Sequence, residues 1–298
     1  GHMTLDTQAA RAAYETLGTS LGMGAEEAAW SVCEIIDENM ANAARVHAIE
    51  SGKGYDGRTM IAFGGGGPVH GFRVAEKVGI ERVLVPSGAG VGSAIGFLRA
   101  PVGYEVVRSL YQRFRSFDVA AVNGLLDDMV REAEGVVAAG SFGAATRQSR
   151  IAFMRYVGQG HEIAVPLPAR TLTAADVPAI RAAYDAEYSR FYDRPVPGSD
   201  VEIMSYAVVV ATVPPDPPAI AAAAAGAAAV PVGSQRVRDS VTGEVADWAV
   251  YDRAALSPGA AVAGPAVIAE DETSTLVGPG WRASVTAQGY IEMVRGAR

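Results

Sequence analysis

A short strand that runs directly into four consecutive glycines restricts the folds open to this chain. The apolar residues 60–63 come first, residues 64–67 are all glycine, and Pro68 then opens a segment with the pattern of a helix. Glycine loses more conformational entropy on folding than any other residue, so four in a row need a compensating contact. We expect either a tightly packed turn or a ligand that requires close approach to the backbone.

The elements around this turn predict an α/β fold. Two helices, over residues 5–22 and 25–50, precede the strand, while a second strand over 81–86 and a helix of small residues over 90–100 follow it. Strands that alternate with helices favour a parallel sheet with right-handed crossover connections. Apolar residues at three- and four-residue steps within 25–50 predict a buried helix face that includes Cys33.

After residue 101 the sequence changes to the pattern of a mixed α+β region. An extended segment and a helix come first, and two strands over 147–168 that turn at Gly-Gln-Gly then predict a hairpin. A further helix has Thr173 as its candidate N-cap, and a long strand covers 199–213. This change of pattern places the main boundary near residues 101–115.

The C-terminal part of the sequence is β-rich. A connector of proline and alanine occupies residues 214–231, and short strands alternate with Gly/Pro turns from residue 232 onward. We therefore predict one domain over residues 4–104 and a second domain, α+β and then β-rich, over residues 105–298.

Composition excludes several classes of protein. A formal net charge of −8 argues against nucleic-acid binding, which requires a basic face. We find no apolar run of about 18 residues or more that would predict a membrane span, and no signal peptide. A single cysteine excludes an intrachain disulfide and favours a reducing compartment, so we expect a cytoplasmic location. Residues 1–3 (Gly-His-Met) look like the remnant of an expression tag.

The glycine run matches neither standard phosphate-binding sequence, because it lacks the lysine of a P-loop and the spacing of a dinucleotide-binding turn. Backbone N–H groups at a helix start nevertheless suit a nucleotide, so nucleotide contact and a packing turn both remain open. A second segment of small residues, 85–100, allows close helix packing or, alternatively, ligand contact. Its candidate positions are Gly90, Gly92, Ser93 and Gly96.

Three polar features are further candidates. Asn39 is positioned to contact a base or ribose, or is simply solvent-exposed or capping; His70, in the first turn of the helix opened by Pro68, is a contact for nucleotide or substrate, or a packed or solvated histidine. The acidic segment 269–276 is a partner-facing or cation-binding feature, or a solvated strand face. The scattered histidines and the lone cysteine predict no metal site with zinc-ligand spacing.

Several blocks in order resemble one family. The segment from Met60 to Ser109, which includes GGGGPVHG, is similar to the second half of the ATP-binding domain of the hydantoinase A/5-oxoprolinase family, which also includes subunits of acetone and acetophenone carboxylases. Residues 35–60, 154–168 and 251–293 resemble the preceding helix and turn, the middle strand pair and the closing β-rich segment of that family. The resemblance covers about residues 5 to 295.

This resemblance implies the second lobe of an actin-like (ribonuclease H-like) ATPase fold, followed by a mixed α+β and β-rich C-terminal domain. The residues Gly64, Gly65, Gly66 and Gly67 would hold the adenosine, and the helix near Val91 would pack at the hinge between lobes. Members of the family use ATP with Mg²⁺ to phosphorylate a carbonyl oxygen, which prepares a cyclic amide for ring opening or a ketone for carboxylation.

The chain departs from that family in one respect. It has no Asp-Gly-Gly-Thr-type loop for the β- and γ-phosphates, and neither glycine-rich loop carries an acidic residue for magnesium. We expect a C-terminal piece or a naturally split subunit that needs a missing N-terminal lobe or partner subunit, binds ATP weakly alone and hydrolyses almost none. Such a chain should expose an apolar patch within residues 25–100 and form an oligomer or complex.

Three hypotheses therefore remain for the function. The first is a component of an ATP-dependent hydrolase of a cyclic amide (hydantoin, 5-oxoproline or lactam). The second is a subunit of an ATP-dependent carboxylase of a ketone. The third is a non-catalytic assembly subunit in which the glycine turn is only structural.

Overall fold

The computed structural model describes residues 4–216, 219, 226 and 228–296. These residues form two compact units: unit 1 combines residues 1–98 with 218–298, and unit 2 contains residues 99–217. The part of the predicted Pro/Ala connector that lies outside the described residues is 217–218, 220–225 and 227. The suspected tag remnant, residues 1–3, also lies outside them.

The described residues contain six α-helices and thirteen strands. The helices are α1 (Thr7–Leu21), α2 (Ala25–Glu50), α3 (Gly67–Val78), α4 (Gly92–Arg99), α5 (Val119–Ser141) and α6 (Val177–Tyr192). The strands are β1 (Met60–Ile61), β2 (Arg82–Val85), β3 (Gly103–Arg113), β4 (Thr146–Tyr156), β5 (Ile163–Leu167), β6 (Val201–Thr212), β7 (Gly233–Arg238), β8 (Val245–Asp252), β9 (Ala261–Ala263), β10 (Ala266–Ala269), β11 (Ser274–Val277), β12 (Trp281–Val285) and β13 (Ile291–Arg295). The described helices lack the length and apolar run that a bilayer crossing requires.

Unit 1 is built on two sheets. The first has the strand order β1-β2-β13-β12-β9, and the second has the order β11-β10-β8-β7. The β1–β2 pair is parallel, which confirms the expectation for that pair, but β13 joins β2 in the antiparallel sense and extends the sheet with C-terminal strands. The result is a mixed sheet rather than a purely parallel one.

The compact units group the chain differently from the predicted domains 4–104 and 105–298. Residues 218–298 share a core with the N-terminal part because Met293 of β13 pairs with Val83 of β2, and both side chains are fully buried. Alternating burial along a strand can be read from sequence, whereas the identity of its partner strand cannot. The first division, between Leu98 and Arg99, lies close to the predicted boundary.

Unit 2 is an antiparallel sheet packed against helices. Its strand order is β3-β6-β4-β5, and the β4–β5 pairing confirms the predicted hairpin. Helix α5 packs on β3 and β6, and α6 packs on β5. The central strand β6 is buried along most of its length, and its Ile203 and Tyr206 join Leu126, Met129 and Tyr184 in the core.

Helix α2 has the predicted bounds, but its predicted buried face is wrong. Cys33 and Ile36 are exposed, whereas Ala28, Asp37 and Ala41 are buried. Charged residues on the buried side of α2 pair with residues of α3, and the spacing of apolar residues alone does not reveal this pairing. The helix therefore keeps several aliphatic side chains on its outer surface.

Candidate functional site

The glycine turn connects β1 to α3 with a defined backbone path. The N–H of Gly64 donates to the carbonyl oxygen of Ala89 at 2.7 Å, and the N–H of Ala62 donates to that of Leu84 at 2.9 Å. Gly64 has a φ of 94°, a conformation that other residues rarely adopt. Helix α3 then begins at Gly67 with Pro68 in its first turn. The turn is thus held from one side by the loop that follows β2.

Packing does not explain the glycines that follow. A Cβ atom added at Gly64 or Gly66 would meet no atom within 4 Å, and one at Gly65 would meet only the carbonyl oxygen of Glu272, at 3.7 Å. At Gly67 the nearest atom would be 3.8 Å away. The chain itself leaves these positions open, so the turn is not tightly packed, and contact of these glycines with a ligand stays a prediction.

The positions of the second segment of small residues, 85–100, differ in the space that surrounds them. A Cβ at Gly90 would lie 2.7 Å from the carbonyl oxygen of Glu272, and one at Gly92 would lie 3.4 Å from the ring of Phe63. By contrast, Ser93 is exposed and a Cβ at Gly96 would meet nothing within 4 Å. Close packing therefore accounts for Gly90, whereas the distance at Gly92 is an ordinary van der Waals contact; the hinge or packing roles of Gly92, Ser93 and Gly96 stay predictions.

The acidic segment 269–276 contributes a buried threonine to the turn. The hydroxyl of Thr273 donates to the carbonyl oxygen of Gly65 at 2.8 Å, and Thr273 and Thr275 are both buried. The expectation of a solvated strand face is therefore wrong for these two residues. Thr273 and Thr275 are two residues apart, so on an extended strand their side chains point to the same face. This spacing was the signal in the sequence for their shared burial. Burial raises the pKa of the nearby Glu270 carboxyl, against the influence of Arg253.

His70 lies beside the glycine turn and is paired with a residue that the sequence does not single out. Its Nδ1 is 2.7 Å from Oδ1 of Asp37, whose side chain is buried on α2. Burial raises the pKa of the Asp37 carboxyl, although the hydrogen bond to His70 opposes the rise. In the tautomer that donates from Nδ1, Nε2 is left as an acceptor, so the pair can orient His70 toward a ligand.

Ion pairs fix α2 against α3 around this pair. Arg73 donates to both oxygens of Glu34 at 2.9 and 3.0 Å, and Lys77 lies 3.1 Å from Glu34 and 3.0 Å from Glu38. Burial disfavours the ionised form of Glu34, but its hydrogen bonds to Arg73 and Lys77 outweigh this effect and lower its pKa. The backbone positions that carry Asp37 and His70 are therefore held by neighbouring charges.

Asn39 is placed differently from His70. It is exposed and lies two residues after Asp37, so it occupies the opposite side of α2 from the side that faces α3. No contact between its side chain and residues 64–67 is present in the described part of the chain. Its role toward a nucleotide stays a prediction, as do those of the four glycines and His70.

The described residues contain no group of three or more His, Cys, Asp or Glu side chains placed to hold a metal ion. Glu272 is the acidic residue whose backbone touches both glycine loops, but it brings no second carboxylate into such a group. Magnesium, which is usually held by one or two carboxylates together with substrate phosphates, therefore stays an expectation of the family resemblance.

Comparison with known sequences agrees with this architecture. The family model described as Hydantoinase/oxoprolinase matches residues 1–106, and the model of the Hydantoinase/oxoprolinase C-terminal domain matches residues 126–293. The chain belongs to the hydantoinase/oxoprolinase family. This confirms the resemblance stated from the sequence.

Individual relatives of the family differ in their reactions. The chain is 28% identical over 305 residues to the caprolactamase subunit alpha of Pseudomonas jessenii, and covers 44% of it. It is 26% identical over 297 residues to the acetone carboxylase beta subunit of Xanthobacter autotrophicus, and covers 41% of it. These alignments include 99% and 94% of this chain, which thus spans less than half the length of either relative.

Two solved structures share the fold. The crystal structure of the ATP-dependent caprolactamase of P. jessenii matches all of this chain and 44% of its own, with a TM-score of 0.73 and 26% identity. The nucleotide-free structure of an acetone carboxylase, described as ATP-dependent, matches 99% of this chain and 44% of its own, with a TM-score of 0.75 and 24% identity. The family therefore places this mixed α/β architecture within larger enzymes.

Proposed function

We propose that this chain supplies the adenosine-binding part of an ATP-dependent enzyme that opens a cyclic amide. The observation that carries the proposal is the open glycine turn at the start of α3, where Gly64, Gly65 and Gly66 leave space that no other described residue fills. Membership of the hydantoinase/oxoprolinase family supports ATP as the ligand. We further propose that unit 1 contains the second lobe of an actin-like ATPase fold.

The residues around the turn fit an adenosine in chemical terms. Glycines permit close approach of a flat base or ribose, and free N–H groups at a helix start favour hydrogen-bond acceptors. The hydroxyl of Thr273 donates to the Gly65 carbonyl oxygen, and the hydrogen bond between Asp37 and His70 fixes the orientation of the imidazole ring. When bound, ATP would supply a phosphoryl group that activates the carbonyl oxygen of the substrate. The residues for magnesium and the terminal phosphates would come from a segment or subunit outside this chain.

A ketone is the alternative substrate, because the acetone carboxylase beta subunit is similar to this chain to nearly the same degree as the caprolactamase subunit. Bicarbonate-dependent consumption of ATP by the assembled complex would favour the carboxylase. Lactam-dependent consumption without bicarbonate would favour the hydrolase.

The test is nucleotide binding by calorimetry with the Gly65→Val variant. We expect the parent to bind ATP weakly and the variant to lose at least about tenfold in affinity, equivalent to roughly 1.4 kcal/mol. Gly65 lacks a positive φ and an added Cβ has room, so the fold should tolerate valine. The control is Gly54→Val, at an exposed glycine where an added Cβ would meet no atom within 4 Å.

Two outcomes would contradict the proposal. If the parent binds no ATP at millimolar nucleotide, the non-catalytic assembly role is the hypothesis that remains. If the parent and Gly65→Val bind ATP with equal affinity, the glycine turn is not part of the nucleotide site. Rapid ATP hydrolysis by the purified chain alone would contradict the proposed need for a further lobe or subunit.

A further inference from the structure

A cleft in unit 1 lies on the side of α2 and α3 that faces the β7–β8 hairpin. Its volume is about 470 Å³, which is within the range of small-molecule pockets. Its walls are largely apolar, with Trp30 of α2, Val69 and Phe72 of α3, Trp248 of β8 and Leu276 of β11. Aromatic walls of this kind suit a compact ring.

The polar groups around the cleft are rich in donors. The buried Trp30 Nε1 and Ser240 Oγ have no hydrogen-bond partner among the described residues. Arg236 lines the cleft and forms no ion pair within the described part of the chain, although Asp247 lies opposite it in the β7–β8 register. An indole N–H and a guanidinium only donate, and a hydroxyl donates as well as accepts. A complementary ligand therefore carries acceptors.

The remaining charges in the cleft are already paired. Arg73 is bound by Glu34, Arg238 donates to the carbonyl oxygen of Gly243 and lies 3.6 Å from Glu26, and Asp37 is bound by His70. Arg236 is thus the cation with the most to gain from an anionic ligand, and a planar carboxylate matches the fork of its guanidinium.

We propose that this cleft binds a compact aromatic or heteroaromatic carboxylate, with the ring between Trp30 and Phe72 and the carboxylate at Arg236. The cleft borders the glycine turn, because Asp37, Val69 and His70 contribute to its walls, but the proposal does not depend on the use of ATP. In this proposal the β7–β8 hairpin binds the carboxylate through Arg236, whereas the glycine loops do not contact this ligand.

The only cysteine of the chain reports on this cleft. Cys33 is exposed, lines the cleft, and can be alkylated by the small neutral reagent iodoacetamide. Partial desolvation at the cleft wall, together with the charges of Asp37 and Glu34, raises the pKa of its thiol, so the reaction is followed by mass spectrometry at about pH 8.5. Benzoate is the probe, and benzamide is its neutral isostere.

Benzoate at about 10 mM should slow the alkylation of Cys33 roughly tenfold if it binds with a dissociation constant of about 1 mM, as its size permits. Benzamide should slow it much less. The variant Arg236→Gln should lose the protection by benzoate, while the control Arg82→Gln, on an exposed arginine of β2 outside the cleft, should keep it.

A second measurement detects the ring directly. The indole N–H resonance of Trp30, assigned with Trp30→Phe, should shift on addition of benzoate, while that of Trp281 should not. The proposal is overturned if benzoate and benzamide protect Cys33 equally, if neither protects it and the Trp30 resonance is unmoved, or if Arg236→Gln is protected as well as the parent.

Discussion

Gly90 lies against the backbone of Glu272, and this contact leaves no room for a side chain. We predict that Gly90→Ala lowers the free energy of unfolding of unit 1 by about 1–3 kcal/mol, because the added Cβ would overlap the Glu272 backbone. Denaturant unfolding followed by tryptophan emission measures this effect, since Trp30, Trp248 and Trp281 all belong to unit 1.

Gly96 provides the matched control with the opposite expected sign. It lies inside α4 with nothing within 4 Å of an added Cβ, so Gly96→Ala should stabilise unit 1 by about 0.5–1 kcal/mol through helix propensity. Equal effects of the two alanines would show that the loop moves away from Glu272 without cost.

Single residues differ in how much of their role the sequence reveals. The run at residues 64–67 and the position of His70 after it are visible as local pattern. The partner of His70 is not, because Asp37 precedes it by 33 residues and meets it only after α2 packs on α3. Thr273, which holds Gly65 from 208 residues away, is hidden for the same reason.

The start of α6 rests on one carboxylate. Asp176 accepts from both guanidinium nitrogens of Arg170 and from the backbone N–H and hydroxyl of Thr173. Thr173 is confirmed as an N-cap, but of the short 3-10 turn Ala174–Asp176 that leads into α6. The hydrogen bonds of Arg170, followed by those of Thr173, hold the pKa of the Asp176 carboxyl well below its usual range. We predict that Asp176→Asn lowers the thermal midpoint of unit 2 at pH 7.

This loss should depend on pH with a definite sign. Because the folded-state pKa of Asp176 is lowered, its ionised form stabilises the fold fully above the unfolded-state pKa of about 3.9 and progressively less as pH falls below it. The gap between parent and variant should therefore narrow below about pH 4. Near-ultraviolet circular dichroism follows the aromatic residues of both units, and tryptophan emission, which reports only unit 1, separates the contribution of unit 2.

Asp128→Asn is the control for the change of charge. Asp128 pairs with Arg131 on an exposed turn of α5, and surface pairs of this kind contribute little. An equal fall in midpoint for the two variants, or a gap that widens in acid, would contradict the role assigned to Asp176.

Most elements follow from local pattern, and the exceptions have a common cause. The bounds of α2, the β4–β5 hairpin and the long strand β6 agree with apolar spacing and turn residues. The outward face of α2 and the union of β13 with β2 do not follow, because both depend on which distant segment supplies the partner. Ion pairs with α3 decide which face of α2 points outward, and pairing between strands distant in sequence decides that β13 joins β2.

At the scale of the molecule, α2 presents an aliphatic surface. Ile35, Val46 and Ile49 are 59%, 54% and 78% exposed, and they share one helix face with Asn39 and Asn42. Exposed apolar faces tend to mark association sites. We predict that Ile35→Ser with Ile49→Ser weakens self-association or partner binding by at least about tenfold, as measured by sedimentation velocity over a range of concentrations.

The control is Val136→Ser, at an exposed valine of α5 in unit 2. The double variant should keep the tryptophan emission of the parent, since neither isoleucine belongs to the core. If the parent chain remains monomeric at all concentrations and binds no partner, the prediction that this face of α2 is an association site is contradicted.

The union of β2 with β13 also sets the order of events during synthesis. The two strands are translated roughly 200 residues apart, a delay on the order of 10–40 s at typical elongation rates. All the strands of unit 2 emerge within that interval, so unit 2 is free to fold on the ribosome first. The glycine turn thus leaves the ribosome long before Thr273 and β13, the segments that complete its surroundings, have been synthesised.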